Sequence, residues 1–172
     1  MIDYDLTKIR AMMFDVDGVL SCATIPMDSN GVPTRTANIK DGYALQLAVK
    51  RGMKLAIITG GRAEAVGARY RGLGLQEVHL GCSIKLDVYK SLLAKWDLKP
   101  EEVLYMGDDI PDYEIMSQCG LPCCPADAAK EIKAISRYIT TRRGGEGCVR
   151  EVLEQVLTAQ GLWEMDKIAF GW

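Results

Sequence analysis

Two aspartates, Asp15 and Asp17, stand two residues apart directly after the apolar run Ala11–Phe14 in "AMMFDVDGVL". In extended backbone, side chains two apart share a face, so this spacing gathers two like charges where a buried strand should end. An acidic turn would account for the charge alone. A cation site, a site of phosphate chemistry, or both would account for the spacing as well. Two later apolar runs also close in polar residues. "MKLAIITGGR" ends in Thr59, Gly60, Gly61 and Arg62, and "EVLYMGDDIPD" ends in Asp108, Asp109 and Asp112. Lys85 follows "GCSI" and opens an amphipathic stretch.

In open α/β sheets the residues beyond the carboxyl ends of the strands converge on one crevice. Hard carboxylate oxygens, with no histidine or thiolate among them, favour magnesium. Its charge would relieve the repulsion between Asp15 and Asp108 and neutralise a phosphate dianion. Lys85 and Thr59 would hold the remaining phosphate oxygens, and Arg62 stands at the beginning of a helix, whose N-terminus itself favours anions. Such a set suits attack by a carboxylate on phosphorus to give an aspartyl-phosphate. Asp17 is the nearest second carboxyl able to protonate the leaving alkoxide.

The elements that must position these residues are readable from periodicity. "RAMMFDV", "MKLAIITGG", "EVLYMGDD", "GLPCCP" and "SRYITT" predict strands apolar on both faces. Between them lie helical patterns. Residues 41–51 have Asp41 as the expected N-cap and Gly52 as the stop; residues 84–95 place Leu86, Tyr89, Leu92 and Leu93 on one face. Residues 147–160 repeat Val149, Val152, Leu153, Val156 and Leu157 before Gly161. Buried strands interleaved with helices predict a three-layer, Rossmann-like α/β fold with a parallel sheet. Residues 19–39 interrupt the rhythm with two β-branched runs around "DSNG", a pattern that predicts a protruding β-hairpin. No linker or repeat divides the chain, so residues 1–172 are expected to form one domain ending in a tail over about 161–172.

Composition excludes other classes. A net charge of −2 gives no basic field for nucleic acid, and no apolar run approaches the ~20 residues that span a bilayer. The first ten residues lack the apolar core of a signal peptide, which points to the cytoplasm. The six cysteines include no CxxC pair and the one histidine, His79, is remote from Cys119, Cys123 and Cys124. Free buried thiols are therefore expected, with neither disulfide nor zinc.

"FDVDGVL", "IITGGR", Lys85 and "YMGDDIPD" resemble, in order and context, the four motifs of the haloacid dehalogenase superfamily, in particular its DxD phosphatases. The resemblance covers essentially the whole chain. It implies Asp15 as nucleophile and magnesium ligand, and Asp17 as general acid/base that lends its backbone carbonyl to the metal. It implies Thr59, Gly60 and Lys85 as phosphate ligands, Asp108 as a metal ligand, and Asp109 and Asp112 as supports behind them. Asp17 argues against the dehalogenase branch, and the absence of a long insertion after either of the first two motifs resembles the capless branch. "NIKDGYALQLAVKRG" and "RRGGEGCVREVLEQVL" narrow the likeness to phosphatases of 2-keto-3-deoxy sugar acids. That branch implies a homotetramer with sites near subunit boundaries, and the 8-phosphate of 3-deoxy-D-manno-octulosonate, a lipopolysaccharide precursor, as substrate. Arg62 would then meet the sugar-acid carboxylate, and Arg143 with its "GGEG" loop would lie at a boundary. A sister group acting on a nine-carbon acid resembles a version with Glu in place of Gly61. The tail "GLWEMDKIAFGW" either reaches a neighbour's site or packs on its own domain. Receiver-type signalling domains also combine acids, Thr and Lys on a doubly wound sheet, but the DxD on the first strand and the order Asp, Thr, Lys, Asp-Asp count against that class.

Overall fold

The computed structural model describes residues 1–171. Six strands form one parallel sheet: β1 (Ala11–Phe14), β2 (Lys54–Ile58), β3 (Glu77–His79), β4 (Val103–Met106), β5 (Leu121–Cys124) and β6 (Tyr138–Ile139), in the order β3-β2-β1-β4-β5-β6. Helices α1 (Ile39–Lys50), α2 (Glu64–Gly72) and α6 (Cys148–Ala159) cover one face; α3 (Lys85–Trp96), α4 (Tyr113–Met116) and α5 (Lys130–Ile135) cover the other. Met12 and Phe14 of the central strand pack toward the first layer, Ala11 and Met13 toward the second. This double burial explains why β1 and β4 read as unbroken apolar runs. The expected three-layer α/β architecture is the one observed.

The edge strand β3 escapes periodicity because it is three half-buried residues with a single apolar side chain, Val78. Its Glu77 carboxylate is tied to His79 and to Lys95 of α3. The start of α1 also differs from expectation. Asn38 is the N-cap, accepting the N–H groups of Lys40 (2.9 Å) and Asp41 (3.3 Å). Asp41 is instead buried in the first turn, and its Oδ1 accepts the N–H of Arg150 at 2.6 Å. It thereby caps α6, whose own N-cap, Gly147, has no side chain to do so. Burial pushes the Asp41 carboxyl up to about 6.

Residues 19–38 reverse where "DSNG" predicted. Asp28 Oδ1 accepts the N–H groups of Asn30 and Val32, Gly31 takes φ +75°, and Met27 bridges Pro33 in antiparallel sense. A regular two-stranded hairpin does not form, because Pro26 and Pro33 flank the turn and neither can donate to a ladder. The segment is an excursion with one bridge rather than a ribbon.

After Gly161 the chain folds back on α1 and ends in a short helix, α7 (Lys167–Phe170). Arg51 makes a two-pronged pair with Asp166 (2.9 and 2.9 Å), and the same carboxylate caps α7 through Ile168 and Ala169. The Tyr43 hydroxyl donates to the Ala169 carbonyl, and Arg150 stacks 4.3 Å from the Trp163 ring. In one chain, the tail through Gly171 thus packs on its own domain; the tail's last residue, Trp172, lies outside the described residues.

The "RRGGEG" loop closes the core against the first motif. A Cβ on Gly144 would fall 1.9 Å from the Gly18 carbonyl oxygen, and Gly145 N–H donates to the Val19 carbonyl at 2.8 Å. Backbone against backbone cannot yield cheaply. Gly144→Ala is therefore expected to cost about 2 kcal/mol and to lower the melting temperature by roughly 4–8 °C, measured by thermal denaturation; an unshifted melt would show that this contact is not tight.

Candidate active site

β1, β2 and β4 deliver their last residues to one cleft of ≈ 910 Å³. Parallel register aligns Phe14 with Ile57 and Met106, so Asp15, Thr59 and Gly107-Asp108 leave the sheet side by side. Asp15 is buried. Its Oδ2 lies 2.9 Å from Lys85 Nζ, and its Oδ1 accepts the N–H of Val16 at 2.7 Å. Lys85, the first residue of α3, also donates to Asp112 Oδ1 at 2.8 Å. Asp112 is fully buried and takes two further bonds, from the Tyr105 hydroxyl (2.7 Å) and from the N–H of Asp108 (3.2 Å). It therefore anchors both the lysine and the acidic loop.

Two glycines permit the close approach. Gly18 adopts φ +83°, and a Cβ there would fall 1.9 Å from Asp108 Oδ2. A Cβ on Gly107 would fall 2.4 Å from the Asp112 side chain. Thr59 is buried, and its Oγ1 accepts the Gly61 N–H at 3.1 Å, which leaves the hydroxyl proton free to be donated. Asp109 and Gly60 lie exposed on the rim of the cleft.

Carboxylate oxygens of Asp15, Asp108 and Asp112 lie within 4.8 Å of one another. Burial, then repulsion from Asp112, pushes the Asp15 carboxyl up to about 7 against the pull of Lys85. Burial, then repulsion from Asp15 and Asp112, raises Asp108 to about 7. Burial works against the charge on Lys85, but Asp15 and Asp112 more than offset it and hold the ammonium above its ordinary range. One buried cation thus faces a surplus of acids. The surplus, its hard oxygen donors and its tight spacing fit a small divalent cation with oxygen preference. The nearby Cys82 thiol directs its proton to the His79 carbonyl at 3.4 Å.

Asp15, Asp17, Thr59, Gly60, Lys85, Asp108, Asp109 and Asp112 therefore come together as the sequence predicted. Arg62 and Arg143 do not line the cleft. Arg62 is exposed, lies along Gly81, and precedes α2 rather than opening it. Arg143 is exposed and pairs with Asp127 at 3.3 Å. The residue that sequence reasoning missed is Arg35. Its guanidinium takes Asp17 in a two-pronged pair, Nε to Oδ1 at 2.8 Å and Nη2 to Oδ2 at 2.9 Å. The available signal was that Arg35 is the sole basic residue in 19–39.

A family model described as haloacid dehalogenase-like hydrolase matches residues 78–152. The 3-deoxy-D-manno-octulosonate 8-phosphate phosphatase of Escherichia coli K12 is 40% identical over 154 residues, covering 90% of this chain and 82% of its own. The crystal structure of the Yersinia pestis enzyme of that name superposes with a TM-score of 0.89 at 38% identity, covering 94% of this chain and 87% of that one. A Moraxella catarrhalis enzyme of that name, solved with a magnesium ion, a phosphate ion and KDO, gives a TM-score of 0.87 at 35% identity, with 91% and 90% covered.

The crowding has a pH signature. With the folded-state value raised from 3.8 to about 7, Asp108 holds its proton more tightly in the native than in the unfolded chain. Metal-free stability should therefore fall as pH rises from about 4 to about 7 and level off above that. Asp15 and Asp41, raised as well, contribute in the same direction, so Asp108→Asn should make this slope shallower without abolishing it, and millimolar magnesium should restore wild-type stability most at high pH. Melting curves at about pH 5 and about pH 8 test it; equal slopes for wild type and variant would remove Asp108 as a cause.

Proposed function

The chain belongs to the haloacid dehalogenase-like hydrolases as a DxD phosphoric monoester hydrolase, and we propose that its substrate is 3-deoxy-D-manno-octulosonate 8-phosphate, hydrolysed with magnesium as cofactor. The observation that carries this reading is the single buried ammonium of Lys85 amid Asp15, Asp108 and Asp112, in a chain 40% identical to a phosphatase of that name. Gly61, where the nine-carbon group resembles a glutamate version, supports the eight-carbon acid.

Asp15 and Asp108, with the backbone carbonyl of Asp17, would hold magnesium. Once bound, the ion supplies charge neutralisation for the phosphate dianion and for the acids around it. Lys85 fixes the Asp15 carboxylate and offers its charge to a phosphate oxygen, and the Thr59 hydroxyl and the Gly60 N–H hold others. Asp15 attacks phosphorus to form the aspartyl-phosphate. Asp17 gives a proton to the leaving alkoxide and later takes one from the water that opens the intermediate. Asp112 and Asp109 act behind these groups, Asp112 by fixing Lys85 and the Asp108 loop.

Residues 1–172 act in this reading as one phosphatase domain that assembles as a homotetramer. Exposed Met27, Val32 and Ile39 on and beside the excursion supply apolar surface for assembly. Arg143, outside the cleft of one chain, is assigned to a subunit boundary, whereas Arg62, exposed and outside the cleft, is given no contact with the sugar-acid carboxylate within one chain. Among the described residues no helix is long and apolar enough to cross a membrane, and the cytoplasm is the proposed place of action.

Asp15→Asn should abolish phosphate release while leaving the melt cooperative, because Lys85 keeps Asp112. Asp17→Asn should still bind magnesium yet lose about 10²–10⁴ in turnover. EDTA should stop the wild-type reaction and magnesium should restart it. Steady-state kinetics over a panel of phosphorylated sugars, nucleotides and 2-keto-3-deoxy sugar acids tests the substrate; preference for nucleotides would overturn it.

A further inference from the structure

Asp17 does not face the cleft unencumbered. Each of its oxygens accepts one N–H of Arg35, and the arginine side chain is only 11% exposed against 32% for the aspartate. A fork-on-fork pair of this kind is among the stronger polar contacts, and partial burial shields it from water. Arg35 also leans over the phosphate-binding turn: a Cβ on Gly61 would fall 3.1 Å from its Nη2. On its other side it lines a mostly apolar cavity of ≈ 440 Å³ walled by Val16, Val66 and Tyr70. The guanidinium therefore stands at the border between the catalytic cleft and a second space.

Resting on the sugar-acid reading above, we propose that Arg35 recognises the substrate's carboxylate and exchanges Asp17 for it. General acid/base action requires an Asp17 oxygen turned toward the leaving oxygen, whereas here both oxygens are turned to Arg35. Withdrawing Asp17 alone would leave a partly buried cation unpaired, which is costly. A second carboxylate, chemically the same as Asp17's, removes that cost. A neutral sugar phosphate brings none. The exchange makes the acid available only when the ligand carries a carboxylate remote from its phosphate, so the selectivity appears in turnover as well as in binding. Arg62 is less suited to this part, being exposed and outside the cleft.

The test measures kcat and KM of wild type, Arg35→Met and Arg35→Lys on two alkyl phosphates: 3-deoxy-D-manno-octulosonate 8-phosphate and mannose 6-phosphate. Arg35→Met should lower kcat/KM for the sugar acid by about a hundredfold, with a share of the loss in kcat, and should raise turnover of mannose 6-phosphate because Asp17 is released. Arg35→Lys, with the charge but not the fork, should fall between. Opposite signs for the two substrates support the exchange. Equal losses on both would make Arg35 a mere prop for Asp17, and an unchanged preference would remove it from recognition; either result overturns the proposal. A wild type with no preference for the sugar acid would refute the substrate reading itself, before any variant is compared. Circular dichroism establishes that each variant is folded, and the lysine variant carries the test if the methionine variant is not.

Discussion

The site is organised by a shortage of positive charge. Two unit charges of like sign at 4.8 Å repel by about 3 kcal/mol at an effective dielectric of about 20, and Asp15, Asp108 and Asp112 form three such pairs around one lysine. The three carboxylates are brought together partly by backbone and partly by side-chain bonds. Asp15 leaves β1 in register with β4, Asp108 follows Gly107 at the end of β4, and Asp112 is locked by Tyr105 and Lys85. The cost is built into the fold and falls due whenever the cation is away. Affinity for a hard divalent ion follows from that arrangement more than from any individual ligand.

Holding acids this close demands support from distant parts of the chain. Gly18 can pass over Asp108 because it lacks a Cβ, and Gly144 passes over Gly18 for the same reason. The loop bearing Gly144 is placed by α6, and α6 is capped by Asp41 of α1. Residues near position 18, 41, 108 and 144 are therefore one mechanical unit, although they are scattered through the sequence. This explains why a "GGEG" stretch far from every acidic motif belongs to the chemistry without touching it.

What could be read in advance was whatever a short window contains. Strands buried on both faces announce themselves as apolar runs, and their polar termini point to Asp15, Asp17, Thr59 and Asp108 together with their shared location, while Lys85 is read at the start of a helical stretch. Contacts that depend on tertiary placement could not be read so. Asp41 looks like an N-cap because aspartate before a helix usually is one; only the packing of α1 on α6 turns it toward another helix. Proline spacing decides that the excursion turns without forming a ribbon, and "DSNG" alone signals only the turn. β3 is too short to show a period. Arg35 has no motif around it, and its role depends on where two legs of a loop meet.

That meeting is itself constrained. Thr36 N–H donates to Ser21 Oγ at 3.1 Å, and the Cys22 N–H donates to Thr36 Oγ1 at 3.3 Å, so the outgoing and returning legs of the excursion are stitched at their base. Ser21 in turn donates its N–H to the Val16 carbonyl. Arg35, one residue before Thr36, is therefore fixed relative to Asp17 by four residues of chain and a few hydrogen bonds, independently of how the tip at Met27–Pro33 is disposed. The excursion thus divides into a base that sets the arginine and a tip that projects apolar side chains outward. In the proposed reading, one cation on the loop that leaves the catalytic motif couples recognition at the far end of a ligand to chemistry at its phosphate, because Asp17 and Arg35 share one ion pair.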